Sequence, residues 1–221
     1  TKIPPRTWPF EGDYITAIDC MRLRDWVIAD NYFGDIRGAT GNARGAVFVW
    51  VESENVVTER NVFVNCDNSI CYGNPSGSSE GPAKPHNTGG VIRNNFIVGG
   101  VRTAIEVCWA RDVKVYHNTI LTGSEDGRAI FHFWRELSGV EIRNNIVRGR
   151  IWGDGIGVTI ADNVSYGVQD AWFRDVAGGD LHLTAEGRAA VARLPCLAAC
   201  LEGFDGQVRG ETTRAGADEA E

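Results

Sequence analysis

The sequence predicts an all-β solenoid, a stack of short parallel coils rather than a sandwich or a barrel. Three observations carry this. Six segments fall into register on a single asparagine: 25–33, 55–63, 89–97, 112–120, 139–147 and 157–165, which share Asn31, Asn61, Asn95, Asn118, Asn145 and Asn163. A second apolar run, at 16–20, 45–49, 68–72, 103–107 and 128–132, lies upstream of most of these motifs. The Asn-Gly and Asp-Gly turns that join equal strands in a sandwich are neither placed nor spaced for that role. Short strands recurring once per repeat cannot bury their faces alone, so stacking of successive coils must supply the core.

Each Asn motif reads as a half-buried strand followed by a turn. Apolar residues stand five and three positions before most of the asparagines, for example Val113 and Val115 before Asn118. Two positions after come Phe33, Phe63, Ile97, Ile120 and Val147. Period-two alternation buries one face of a strand. Coils stacked about 4.8 Å apart would bring the turn asparagines together as an internal ladder, each amide bonding its neighbour and the turn backbone. The sequon Asn163-Val-Ser165 falls on that ladder and is expected to be unmodified.

Composition bounds the rest. The chain has 221 residues, 43% of them hydrophobic, which suits a folded core rather than disorder. Its net charge of −7 argues against a nucleic-acid partner, which needs a basic stripe to meet phosphates. No apolar run is long enough for a membrane-spanning helix. Six cysteines are too few for a disulfide scaffold and read as small buried residues, with a Cys196–Cys200 disulfide as the alternative. The four histidines, at 86, 117, 132 and 182, lack the spacings of a zinc motif.

Three regions follow in order: a Pro-rich arm over 1–13, β-helix coils over 14–177 with an inserted loop at 73–90, and a final coil with a C-terminal cap over 178–221. Pro4, Pro5 and Pro9 prevent the arm from forming an amphipathic capping helix. Either upstream coils are missing, which is the favoured reading, or the arm and Trp8 drape over an open end. A bare first coil is expected to self-associate, because unpaired strand edges template pairing. A short helix is expected from about Thr184 to Leu194.

The repeat over 14–167 resembles the right-handed parallel β-helix proteins of the pectate lyase-like, polysaccharide lyase group. The tail adds to the likeness through GGDLHLTAEG (178–187), FDGQVRG (204–210) and GADEAE (216–221), similar to the D-x-H-L, D-G-x-x-R and G-A-x-E runs that end many bacterial β-helices. The resemblance implies an acidic polysaccharide as partner and a secreted, periplasmic or cell-surface setting. It also raises calcium as a cofactor, although no aspartate cluster like that of the pectate lyases is present. It implies an eliminating lyase, with a polysaccharide-binding or cell-surface structural solenoid and a glycoside hydrolase as alternatives. The D-P-H-D run of alginate epimerases is absent, and no catalytic subfamily is matched.

Candidate residues follow from the register. Arg93, Lys114, Tyr116 and Arg143 fall on the outward face of the Asn-motif strands, with His117 beside the ladder. A uronate lyase needs a cation to neutralise the sugar carboxylate and a base to take the adjacent proton. Arg93 or Arg143 would serve the first role and Tyr116 or Lys114 the second. His117, or His86 from the insertion, would assist the leaving oxygen. Lys84 in the insertion, and Trp50, Trp109 and Trp134 near the ends of the second-column strands, are candidate sugar contacts, because aromatic faces stack on sugar rings. Loop acids Glu125, Asp126 and Asp154 are the candidates for hydrolysis.

Overall fold

A computed structural model describes residues 13–75, 84–100, 102–133 and 137–219. They form a right-handed parallel β-helix whose strands step regularly through three main sheets. The first sheet stacks Thr16–Met21, Gly45–Trp50, Asn68–Tyr72, Thr103–Cys108, Arg128–Phe133 and Arg150–Gly153. The second stacks Val27–Ala29, Val57–Glu59, Val91–Arg93, Lys114–Tyr116, Val140–Arg143 and Val158–Ala161. The third stacks Tyr32–Gly34, Val62–Val64, Phe96–Val98, Thr119–Leu121 and Ile146–Arg148. Every pairing within these three sheets is parallel, and the stack has five to six coils, as the repeat implies.

Side chains of one kind form columns through the core. Ile18, Val47, Ile70, Ile105, Ile130 and Ile151 are register partners in the first sheet, and Phe33, Phe63, Ile97, Ile120 and Val147 in the third. Phe33 and Phe63 stack with ring centroids 4.8 Å apart. Polar Thr58 is accommodated inside because its hydroxyl meets the Tyr72 hydroxyl at 3.0 Å.

The asparagine ladder runs the whole stack. The Nδ2 of Asn31 donates to Asn61 Oδ1 at 3.0 Å, and the same bond links 61 to 95, 95 to 118, 118 to 145 and 145 to 163 at 2.9–3.1 Å. Each acceptor oxygen also takes the backbone N–H of the preceding ladder residue. Asn163 Nδ2 is engaged as well, by Ile142 O and Ala161 O. The residue before each asparagine (Asp30, Arg60, Asn94, His117, Asn144, Asp162) is left-handed, with φ of 50–62°. Asn and Asp tolerate that conformation; Arg60 and His117 adopt it at a cost that the ladder bonds offset.

The tail covers a flank of the solenoid. Trp172, Phe173, Leu181, Leu183, Ala215 and Ala217 form a second apolar cluster with Phe96, Leu121 and Ile146, which point outward from the third sheet. Gly216 is required at its place: its φ is +85°, and a Cβ there would stand 2.6 Å from Ile146 Cδ1. The expected helix is shorter, Ala185–Ala190, and Thr184 caps it by accepting from Gly187 N at 3.2 Å. No helix of the described residues is long and apolar enough to cross a membrane. All six cysteines are free and four are buried, so the disulfide alternative is not formed. The expectations for 1–12, including Trp8, lie outside the described residues. In the first coil Trp26, Val27 and Tyr32 are exposed.

Candidate functional site

On the second sheet the strand register sets Arg93, Tyr116 and Arg143 side by side in one outward column, with Lys114 beside Glu141 in the next. The face is charge-balanced rather than basic. Arg93 meets Glu59 at 2.7 Å, Lys114 pairs with Glu141, and Arg143 meets Asp162 at 2.7 Å. The Tyr116 hydroxyl donates to Glu141 Oε2 at 2.6 Å. Burial, reinforced by that bond to a carboxylate, pushes the Tyr116 pKa up. Its hydrogen bonds with Lys114 and Tyr116 hold Glu141 below its ordinary range.

The tail reaches this face; residues 76–83 of the insertion lie outside the described residues. Arg93 donates to Ala199 O, and Asn94 Nδ2 donates to Glu202 O at 2.7 Å. His117, beside the ladder, is fully buried, because the tail packs over the turn that carries it. Its Nδ1 lies 3.3 Å from Gly216 O and its Nε2 3.2 Å from Asn144 Nδ2. Burial first, then the nearby Arg209 charge, lowers its pKa from 6.5 to about 3. A histidine held neutral in the fold but free to protonate when unfolded makes stability fall as pH drops from about 6.5 toward 3. The loss is limited to about 1.4 kcal/mol per pH unit. Acid denaturation of His117→Asn should therefore be shallower over that window than that of the parent chain; identical acid limbs would contradict this.

The middle of the first sheet's outward face is also covered. Phe48 and Cys71 are fully buried beneath the 35–44 loop. Arg44, from that loop, lies 4.2 Å over the Phe48 ring and reaches Glu106 at 2.7 Å and Gly73 O at 2.8 Å. Asp67 holds the loop down by accepting from Gly38 N and Ala43 N at 2.8 and 3.0 Å. Trp50 stacks on Phe48 and donates to Asp19 at 3.0 Å. His86 packs between Trp50 and Trp109, and its Nδ1 accepts from Asn74 N at 2.9 Å. Burial, then Arg44, lowers its pKa. Lys84 lies 3.5 Å from Glu52 in an exposed pair. Trp134 lies outside the described residues. The structure thus gathers Trp50, His86 and Trp109 at one corner and Arg93, Lys114, Tyr116 and Arg143 on another face.

A separate opening lies at the end of the stack. Past the strands Arg150–Gly153 and Val158–Ala161 the stack ends in a cleft of about 640 Å3, lined among others by Asp126, Arg148, Arg150, Trp152 and Tyr166. Trp152 is 50% exposed and stacks on Phe131 at 4.8 Å, with the Arg128 guanidinium over both rings at 5.3 and 5.5 Å. Arg150 pairs with Asp126, and Arg148 with Asp170. Sequence reasoning missed this cleft because the strand at 150–153 lies outside the recognised second-column runs. Its signals were the alternation of Ile151 inward and Trp152 outward and the loop acids Glu125 and Asp126, which line it.

A cluster able to coordinate a metal ion sits in the tail. One ligand atom each from His182, Asp205 and Asp218 lies within 4.8 Å of the others. Positions 182, 205 and 218 form no motif spacing, which hid the cluster from the sequence. In comparisons with known proteins, no family model, curated protein or solved structure matches the chain. The fold therefore stands on its own geometry, a regular β-helix of the architecture that carbohydrate-active enzymes and binding proteins use.

Proposed function

We propose that this chain is a carbohydrate-binding β-helix that takes a segment of acidic polysaccharide in the cleft at the end of the stack. The Trp152 platform is the observation that carries the reading. A half-exposed indole, braced from behind by Phe131 and flanked by Arg128, offers a flat apolar face beside a cation. Such a face suits a sugar ring, and exposing it to water is otherwise unfavourable. A 640 Å3 cleft is within the usual size of ligand sites and has room for a short oligosaccharide. Arg148 and Arg150 are partnered by exposed acids, Asp170 and Asp126, that a uronate carboxylate can replace.

The eliminating-lyase reading would use Arg93 or Arg143 to neutralise the uronate and Tyr116 or Lys114 as the base. Their shared outward face supports it. The raised Tyr116 pKa, the Glu141 carboxylate occupying both base candidates, and the tail over Arg93 weigh against it. Binding is the better-supported function.

Calorimetric titration with alginate, polygalacturonate, chondroitin and heparin tests both readings, with ultraviolet absorbance followed for unsaturated uronate products. Saturable binding to at least one polymer is expected, weakened at least tenfold by Trp152→Ala and progressively by added salt. Because Trp152 is half exposed, that variant should keep its fold. Binding that Trp152→Ala leaves intact would reject the site. Product formation abolished by Tyr116→Phe or Lys114→Ala would replace binding with elimination.

A further inference from the structure

We propose that His182, Asp205 and Asp218 form a site for a divalent transition metal of the zinc type, which fastens together three separate segments of the tail. His182 comes from the strand Asp180–Leu183, Asp205 from the turn at 203–206, and Asp218 from the closing G-A-x-E run. The three converge beside a cavity of about 380 Å3 that Arg174, Arg188 and Gln207 also line.

The imidazole is held in the orientation a ligand needs. Its Nδ1 faces Asp180, which leaves Nε2 directed at Asp205 Oδ2, 2.9 Å away. A carboxylate on the far ring nitrogen is the arrangement that fixes the tautomer and orientation of metal-binding histidines. The ring also packs at right angles against the side of a stacked pair, 5.1 Å from Phe96 of the solenoid and 5.5 Å from Phe204 of the tail, which lie 4.0 Å apart.

Asp218 is the buried member of the set. It is only 4% exposed, yet it stands close to another carboxylate. One of its oxygens accepts Leu183 N at 2.8 Å. A buried carboxylate facing a second one calls for a cation between them, and a divalent ion neutralises the two charges with the imidazole neutral.

The ligand set decides the class of ion. Calcium takes six to eight oxygen ligands and has little use for an imidazole. One nitrogen and two carboxylate oxygens suit zinc and its first-row neighbours, with water completing the shell. The calcium expected from the family resemblance is therefore not the ion these residues favour. Without metal the imidazole spans Asp180 and Asp205 through its two ring nitrogens.

The test uses the full chain, stripped with chelator and titrated with zinc chloride alone or calcium chloride alone, read by calorimetry, by bound-metal analysis and by thermal unfolding. One zinc per chain is expected, with a raised midpoint of unfolding. Asp205 is exposed and in a turn, so Asp205→Asn should keep the fold and weaken zinc at least tenfold. Asp180→Asn, which touches no metal, should weaken it 10- to 100-fold through the histidine orientation. Absence of stoichiometric zinc, zinc binding unchanged in Asp205→Asn, or tighter binding of calcium than of zinc would each overturn the proposal.

Discussion

Replacing Asn118 with alanine is expected to destabilise the protein by about 3–5 kcal/mol. Asn118 Nδ2 donates to Ile92 O at 2.9 Å, Tyr116 O at 3.1 Å and Asn145 Oδ1 at 3.0 Å. Its Oδ1 accepts from Asn95 N at 3.1 Å and Asn95 Nδ2 at 2.9 Å. Asn118 is fully buried, so truncation removes five hydrogen bonds where water does not reach and leaves Asn95 N without its acceptor. Each net hydrogen bond is worth about 1 kcal/mol, and a buried unsatisfied group costs about 1–3 kcal/mol. Their sum is damped by relaxation, which sets the range. Asn163→Ala, at the half-buried end of the ladder, should cost less because water reaches the freed groups. Asn42→Ala, on an exposed loop, should stay within about 0.5 kcal/mol. Chemical denaturation of the three variants checks the gradient, and equal costs at 118, 163 and 42 would contradict a cooperative ladder.

Arg209→Ala is expected to release the tail while leaving the coils folded. The Arg209 side chain is fully buried and pairs with Glu219 at 2.9 Å. Its other bonds run to Asn94 Oδ1 at 3.0 Å, Gly216 O at 3.1 Å, Ala217 O at 3.0 Å and Glu202 O at 3.1 Å. One guanidinium thus joins the D-G-x-x-R and G-A-x-E runs to the turn of the solenoid that carries Asn94. Its removal leaves Glu219 buried without its main countercharge, a loss of about 3–5 kcal/mol. Lysine cannot reproduce the planar fork and should rescue poorly. Limited proteolysis should cut the variant within the tail, with hydrogen exchange at the ladder amides unchanged. Protection of the tail equal to that of the parent would show that the apolar cluster on Phe96 and Ile146 suffices.

The architecture was legible because a β-helix writes itself into the chain once per coil. The pattern around Asn118 recurs around Asn95 and Asn145, and the register the alignment implied, Val115 beside Ile142 and Ile92, is the register of the sheet. The second-column strands were legible for the same reason. The tail runs carried a recognisable form, although nothing in them announced that Arg209 and Glu219 pair or that Gly216 must fit against Ile146.

The candidate sites were legible only in part. Alternation placed Arg93, Lys114, Tyr116 and Arg143 outward on the strands. It could not show that Glu59, Glu141 and Asp162 neutralise them, because those partners were chosen by side-chain reach between coils. Nor could it show that the tail would fold back over His117. The cleft at Trp152 exists because the stack ends there, and the His182 cluster exists because three tail segments return to one place. Strand identity, inward or outward facing, and the Asn ladder are local and periodic, so the sequence by itself determined them. Which outward residues are covered, which charges are paired and which groups converge depend on contacts between segments far apart in the chain. Those contacts leave no period to read, and only the tertiary structure decided them.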